Sequence, residues 1–140
     1  NIADAHYRSF QKEILPELNR RNIGVIGMKS LGGGGQLVRG LGLSAAQCRR
    51  YALTLPISTL SCGIDSIEGL QQDIEIGRNF QSMTVSEMRE LEVLAYEKSG
   101  DGRYEWFKST QYYDSQYHRN QHGFPQYQRS CLPHAVFQLP

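Results

Sequence analysis

The sequence predicts an α/β fold built on parallel strands, either an α/β barrel or a doubly wound sheet, and three observations carry that expectation. Helical and extended segments alternate in order along the chain, Ile23-Gly24-Val25-Ile26-Gly27-Met28 is a nearly continuous apolar run, and glycines, prolines and capping residues separate the segments. A continuously apolar strand needs cover on both faces, and parallel sheets flanked by crossover helices supply it. The alternation itself implies right-handed crossovers between neighbouring strands.

Residues 9–21 read as the first helix, with Phe10, Ile14, Leu15 and Leu18 on one face, and Pro16 should kink or interrupt it. Residues 23–28 follow as a strand expected to be buried. Beyond it Gly32, Gly33, Gly34 and Gly35, with Gly40 and Gly42, read as a glycine-rich stretch. Helix resumes at Ser44, where Gln47 completes a capping box, and stops near Leu53 because Pro56 cannot continue it and biases Leu55 toward extended backbone. Residues 58–62 form a second short strand, ended by Gly63. Asp65, Ser66, Ile67 and Glu68 then open a helix whose apolar face is Ile67, Leu70 and Ile74. The last helix starts at Thr84, with Glu87 closing a capping box and Val85, Met88, Leu91, Leu94 and Ala95 forming the stripe; Gly100 and Gly102 end it. From Tyr112 onward Tyr, Gln, His and Pro dominate without periodicity, so residues 115–140 are expected to be an extended or poorly ordered tail.

A formal net charge of +1 gives no basic field for nucleic acid, and no run of about 18 apolar residues exists to span a bilayer. Neither nucleic acid nor membrane is therefore an expected partner. Cys48, Cys62 and Cys131 are odd in number and lack metal-site spacing, and no signal peptide is visible at Asn1, so a reducing, cytoplasmic location is expected.

Three segments carry a resemblance to a known family: Asn1-Ile2-Ala3-Asp4-Ala5-His6, then Ile23-Gly24-Val25-Ile26-Gly27-Met28-Lys29-Ser30-Leu31-Gly32-Gly33-Gly34, then Gly63-Ile64-Asp65-Ser66-Ile67-Glu68-Gly69-Leu70. In that order and spacing, over residues 1–114, they resemble the C-terminal portion of the aldo/keto reductases. The resemblance implies the last part of a (β/α)8 barrel, with residues 23–28 and 58–62 as its seventh and eighth strands. Such barrels take about 250 residues. It further implies an oxidoreductase that moves hydride between NAD(P)H and an aldehyde or ketone. The tyrosine proton donor of the family and its lysine, aspartate and histidine partners lie in the first half of the barrel, so no catalytic residue is assigned here. Asp4, His6, Tyr7 and Lys29 match other parts of the family pattern.

Barrel active sites form from the loops after the strands, with phosphates at the last two. A pyrophosphate needs close backbone approach, and the segment Met28, Lys29, Ser30, Leu31, Gly32, Gly33 and Gly34 offers it with backbone N–H donors. Gly63, Ile64, Asp65 and Ser66 lead into a helix start that also favours an anion. The resemblance places adenosine here, with Gln72 and Asp73 at the adenine-holding positions. Two departures qualify it. Gly69 stands where many NADPH-preferring members have a basic residue, which leaves NADP and NAD both open as cofactor, and Asp73 replaces the usual Asn, losing amide donors while adding charge.

Plainer readings stand beside these. The glycine run also reads as a flexible loop, Lys29 equally as a solvated charge, and Ser66 first of all as a helix cap. His118 and His122 lack a third ligand at metal spacing, so no metal is expected. Cys62 reads as an apolar filler, and the aromatics Tyr104, Trp106, Phe107, Tyr112 and Tyr113 as core or as a substrate mouth. A second functional class is a non-enzymatic interaction module, because a partial parallel sheet leaves an open edge that favours self-association or a companion chain.

Overall fold

The computed structural model describes residues 1–105, 108 and 120. The chain divides into a unit of Asn1–Lys108 and a stretch of Ser109–Pro140. Within the first unit the order is a 3-10 turn (Ile2–Ala5), α1 (Phe10–Glu13), α2 (Leu15–Arg20), β1 (Ile26–Gly27), α3 (Gln36–Leu41), α4 (Ala45–Thr54), β2 (Thr59–Leu60), α5 (Ile67–Arg78) and α6 (Val85–Ser99). The expected tail of 115–140 lies outside the described residues apart from Asn120. Among the described residues no helix is long and apolar enough to cross a membrane.

Local chemistry explains most boundaries. Pro16 near the start of α2 divides the first predicted helix in two: it removes a backbone donor, and Ile14 both ends α1 and caps α2. Of the three predicted capping signatures, those at Ser44 and Thr84 form full boxes, while that at Asp65–Glu68 does not. Ser44 Oγ accepts from Gln47 N while Gln47 Oε1 accepts from Ser44 N, and Thr84 and Glu87 repeat the pattern. Ser66 caps α5 by accepting from Gly69 N. The glycine stretch is not all loop, since Gln36–Leu41 forms α3 between two left-handed glycines, Gly35 and Gly42. Leu37 and Leu41 hold α3 in place because both are buried.

β1 and β2 pair in parallel, Ile26 opposite Thr59 and Gly27 opposite Leu60, with Ser58 N donating to Val25 O and Ser61 N to Gly27 O. The strands are far shorter than the predicted runs, and the burial expected of the first is not found: Ile26 is 65% and Met28 60% exposed. A two-stranded sheet has little face for helices to cover, so its apolar residues stay in contact with solvent. The same holds on α5, where Ile67 is exposed, and at the start of α6, where Val85 is exposed.

The core lies among helices instead. Ile2, Ala3, Leu37, Leu41, Cys48, Tyr51 and Ala95 form its centre, and Met88, Leu91, Leu94 and Tyr104 pack against it, which places Tyr104 with the core and not at a substrate mouth. Trp106, Phe107, Tyr112 and Tyr113 lie outside the described residues.

Two polar networks run through this core. The Tyr51 hydroxyl lies 2.6 Å from Glu92 Oε1 and 3.0 Å from Gln11 Oε1, joining α4 to α6 and α1. Burial, followed by the Glu92 carboxylate, holds the phenol proton on well above the usual tyrosine range. In the second network Lys108 Nζ meets Asp4 at 2.5 Å, Glu105 at 2.9 Å and the Tyr7 carbonyl at 2.6 Å, while Asn1 donates to Glu105. On the surface of α4, Arg50 grips Glu87 and the carbonyls of Gln81 and Ser82.

Removing the Tyr51 hydroxyl takes away the short hydrogen bond to Glu92 and leaves its Oε1 the longer one from Gln11 Nε2, at 3.4 Å. Tyr51→Phe is expected to lower stability by about 1–3 kcal/mol in urea unfolding followed by circular dichroism. An unchanged midpoint would show that water solvates Glu92 in its place.

Candidate functional site

Parallel pairing puts the C-terminal ends of β1 and β2 on the same side, so the loops that leave them come together. They enclose a cleft of about 570 Å³. Of the residues singled out from the sequence, Lys29, Ser30, Leu31, Gly32, Gly34, Gly63, Ile64, Asp65, Gln72 and Asp73 line it. Met28 lines a different cleft, Ser66 serves as the α5 cap, and Gly33 lies outside both linings.

The glycine loop is built from turns. Gly32 N donates to Lys29 O at 2.8 Å and Gly34 N to Gly32 O at 2.6 Å, so these two amides are spent within the loop. Gly32 (φ 75°) and Gly35 (φ 77°) take left-handed backbone that a side chain would strain. Lys29 does so without being glycine, at φ 53°. Arg39 reaches back from α3 along the cleft, and its Nη2 donates to Gly34 O at 2.6 Å, which pins the loop.

The floor of the cleft is Arg49, which sequence reading did not single out. Its Nη1 donates to Ser30 Oγ at 2.9 Å and its Nη2 approaches Gly63 O at 3.4 Å. Its Nε pairs with the Asp73 carboxylate, as an ion pair that lacks hydrogen-bond alignment. The two side chains are 7% and 13% exposed, so the pair is withdrawn from water. One signal for Arg49 was present in the sequence. It stands four residues after Ala45 and three before Ala52, on the same helical face, and a cation there needs a buried partner. Gly35, Ser61 and Gly69 are further lining residues.

Residues near the start of the chain are occupied with structure. Asp4 accepts from the amides of Phe10 and Gln11, and His6 Nε2 lies 2.7 Å from the Glu92 carbonyl. Among the described residues no group of three His, Cys, Asp or Glu side chains could hold a metal, and His118 and His122 lie outside them. Cys62 donates weakly to Leu60 O, and burial raises its thiol. Burial pushes the Cys48 thiol further, to about 11.

The second cleft, of about 790 Å³, lies between α1, α2 and the open side of the sheet. Phe10, Ile14, Leu18, Val25, Ile26, Met28 and Ile57 make its wall largely apolar.

No model of a known protein family, no curated protein and no solved structure matches the chain.

A thiolate is the reacting form of cysteine, and Cys48 is both wholly buried and protonated at ordinary pH. Iodoacetamide at pH 8 is therefore expected to leave Cys48 unmodified in the native protein and to modify it in urea, read by peptide mass spectrometry. Native labelling at Cys48 would mean that α4 opens readily from the core.

Proposed function

We propose that the chain supplies the dinucleotide-binding loops of an NAD(P)H-dependent oxidoreductase of the aldo/keto reductase type, which interconverts a carbonyl compound and its alcohol. The observation that carries this reading is the meeting of the two loops after parallel strands. Residues singled out from sequence on both loops and on α5 line one cleft. In an α/β sheet, that end of the strands is where ligands bind.

The donor set fits an extended anionic nucleotide. Lys29 and Arg39 line the cleft, left-handed glycines allow close backbone approach, and the 12-residue α5 begins beside it at Ile67. Gly69 at the third position of α5 offers no cation, so this reading leaves NADP and NAD both open. Hydride chemistry belongs to the nicotinamide. The proton donor and its partners would come from barrel strands outside this sequence, and the chain by itself is assigned no catalytic residue. The carbonyl substrate would be bound in the complete barrel.

Calorimetric titration of the chain with NADPH and with NADH is expected to give saturable binding to at least one. Ser66→Asp keeps a good helix cap yet adds negative charge beside the anion position, and is expected to weaken that binding about tenfold or more. Titration without binding to either cofactor would remove the reading for the isolated chain.

The second cleft favours a companion reading, in which the chain works as an interaction module. Ile26, Met28 and Phe10 are exposed beside a sheet that has two strands among the described residues, and such a surface drives association. Sedimentation velocity is expected to show concentration-dependent self-association, or association with a chain that supplies further strands. A compact monomer at all concentrations, indifferent to Ile26→Lys, would count against it.

A further inference from the structure

The buried ion pair at the floor of the first cleft is an unusual component of an anion site. Asp73 is a carboxylate in the wall of a cleft proposed to take a pyrophosphate, and an unpaired one would repel it. Arg49 touches all three segments that form the site: Ser30 after β1, Gly63 after β2, and Asp73 on α5. A planar guanidinium can serve three directions at once, which an ammonium on a flexible stem cannot do with the same fixity.

We propose that Arg49 is a positioning residue for the dinucleotide. It braces the two loops at a fixed separation and cancels the Asp73 carboxylate, so that an anionic ligand can enter. This inference rests on the cofactor reading above and goes beyond it. Asp73 is the partner of Arg49, and contact with the adenine falls to Gln72 and the neighbouring backbone.

The charges that line the cleft give the inference a signature. Lys29, Arg39 and Arg49 stand against Asp65 and Asp73. Removing Arg49 exposes a carboxylate to the ligand and frees both loops. Removing the Asp73 charge leaves all three cations facing a single carboxylate. The two ends of one ion pair therefore have opposite effects on anion binding, although breaking a buried pair from either end destabilises the fold. A purely structural pair would move stability and affinity in the same direction from both ends.

The test is a double-mutant cycle on the full chain, with NADPH and NADH affinities measured by calorimetry and Tm by circular dichroism. Arg49→Leu is expected to weaken binding about tenfold or more, whereas Asp73→Asn tightens it severalfold, both with a lowered Tm. The double variant Arg49→Leu/Asp73→Asn is expected to return to within about threefold of the parent affinity. Arg49→Leu binding at the parent affinity, or both single changes weakening it, overturns the inference while the cofactor reading stands. Failure of the parent chain to bind either cofactor overturns both together. Should Arg49→Leu not fold, Asp73→Asn decides alone: tighter binding is the expected result, and weaker binding overturns the inference.

Discussion

The first turn of the chain, Ile2–Ala5, is buried along its whole length, and the arrangement of the helices follows from that burial. A two-stranded sheet with two residues per strand presents too little face to act as a core. Apolar burial must come from elsewhere, and it comes from α3, α4 and α6 closing around this turn. Tyr51 holds α4 to α1 and α6 through Gln11 and Glu92. Lys108, between Asp4 and Glu105, secures the side where the end of the unit returns to its beginning. Charged groups so deep gain little net stability over an apolar filling. Once in place, however, they penalise any arrangement that separates them, because each would be left unpaired in a poor solvent for charge.

The helical core and the small sheet are joined through the β1-to-α3 and α4-to-β2 connections, and the two clefts described above lie beside the sheet. On one side of β1 the apolar residues Ile26 and Met28 stay exposed in a wide, largely apolar recess, lined also by Phe10 and Leu18 from α1 and α2 and by Leu55, Ile57 and Leu60 around β2. At the strand ends the loops gather over α4, whose Arg49 projects into the space between them. The polar cleft is thus a consequence of parallel pairing, and the apolar one of a sheet with two strands among the described residues. The first is organised by ions and turns that satisfy one another internally, while the second presents unsatisfied apolar area.

What could be read from the sequence was local. Ser44 with Gln47 and Thr84 with Glu87 set helix starts through contacts three residues apart, and Pro16 divides a helix through its own missing donor, so neither needs tertiary information. The parallel pairing of residues near 26 and 59 also follows from alternation. The features that escaped depend on the assembled molecule. α3 forms in a glycine-rich stretch of low helix propensity because Leu37 and Leu41 reach the core, a tertiary gain that overrides the local preference. The exposure of Ile26 and Met28 depends on how many strands the sheet has, which a strand's own residues do not encode. In the cleft, glycine and capping signals pointed to both loops, whereas Arg49 shows its importance only when Ser30, Gly63 and Asp73 are seen around it.

The side chain of Asn1 is hydrogen-bonded to a residue 104 positions away, and His6 to one 86 positions away. A ribosome releases chain at about 5–20 residues per second, so the apolar first turn emerges several seconds or more before its partners in α6 exist. Throughout that interval Ile2 and Ala3 can pack against α3 and α4 alone, and the side of the core that α6 closes stays open. Assembly of this unit is accordingly a late event in synthesis, governed by the arrival of its last fifth, and a nascent chain stalled short of α6 would present its intended core to chaperones.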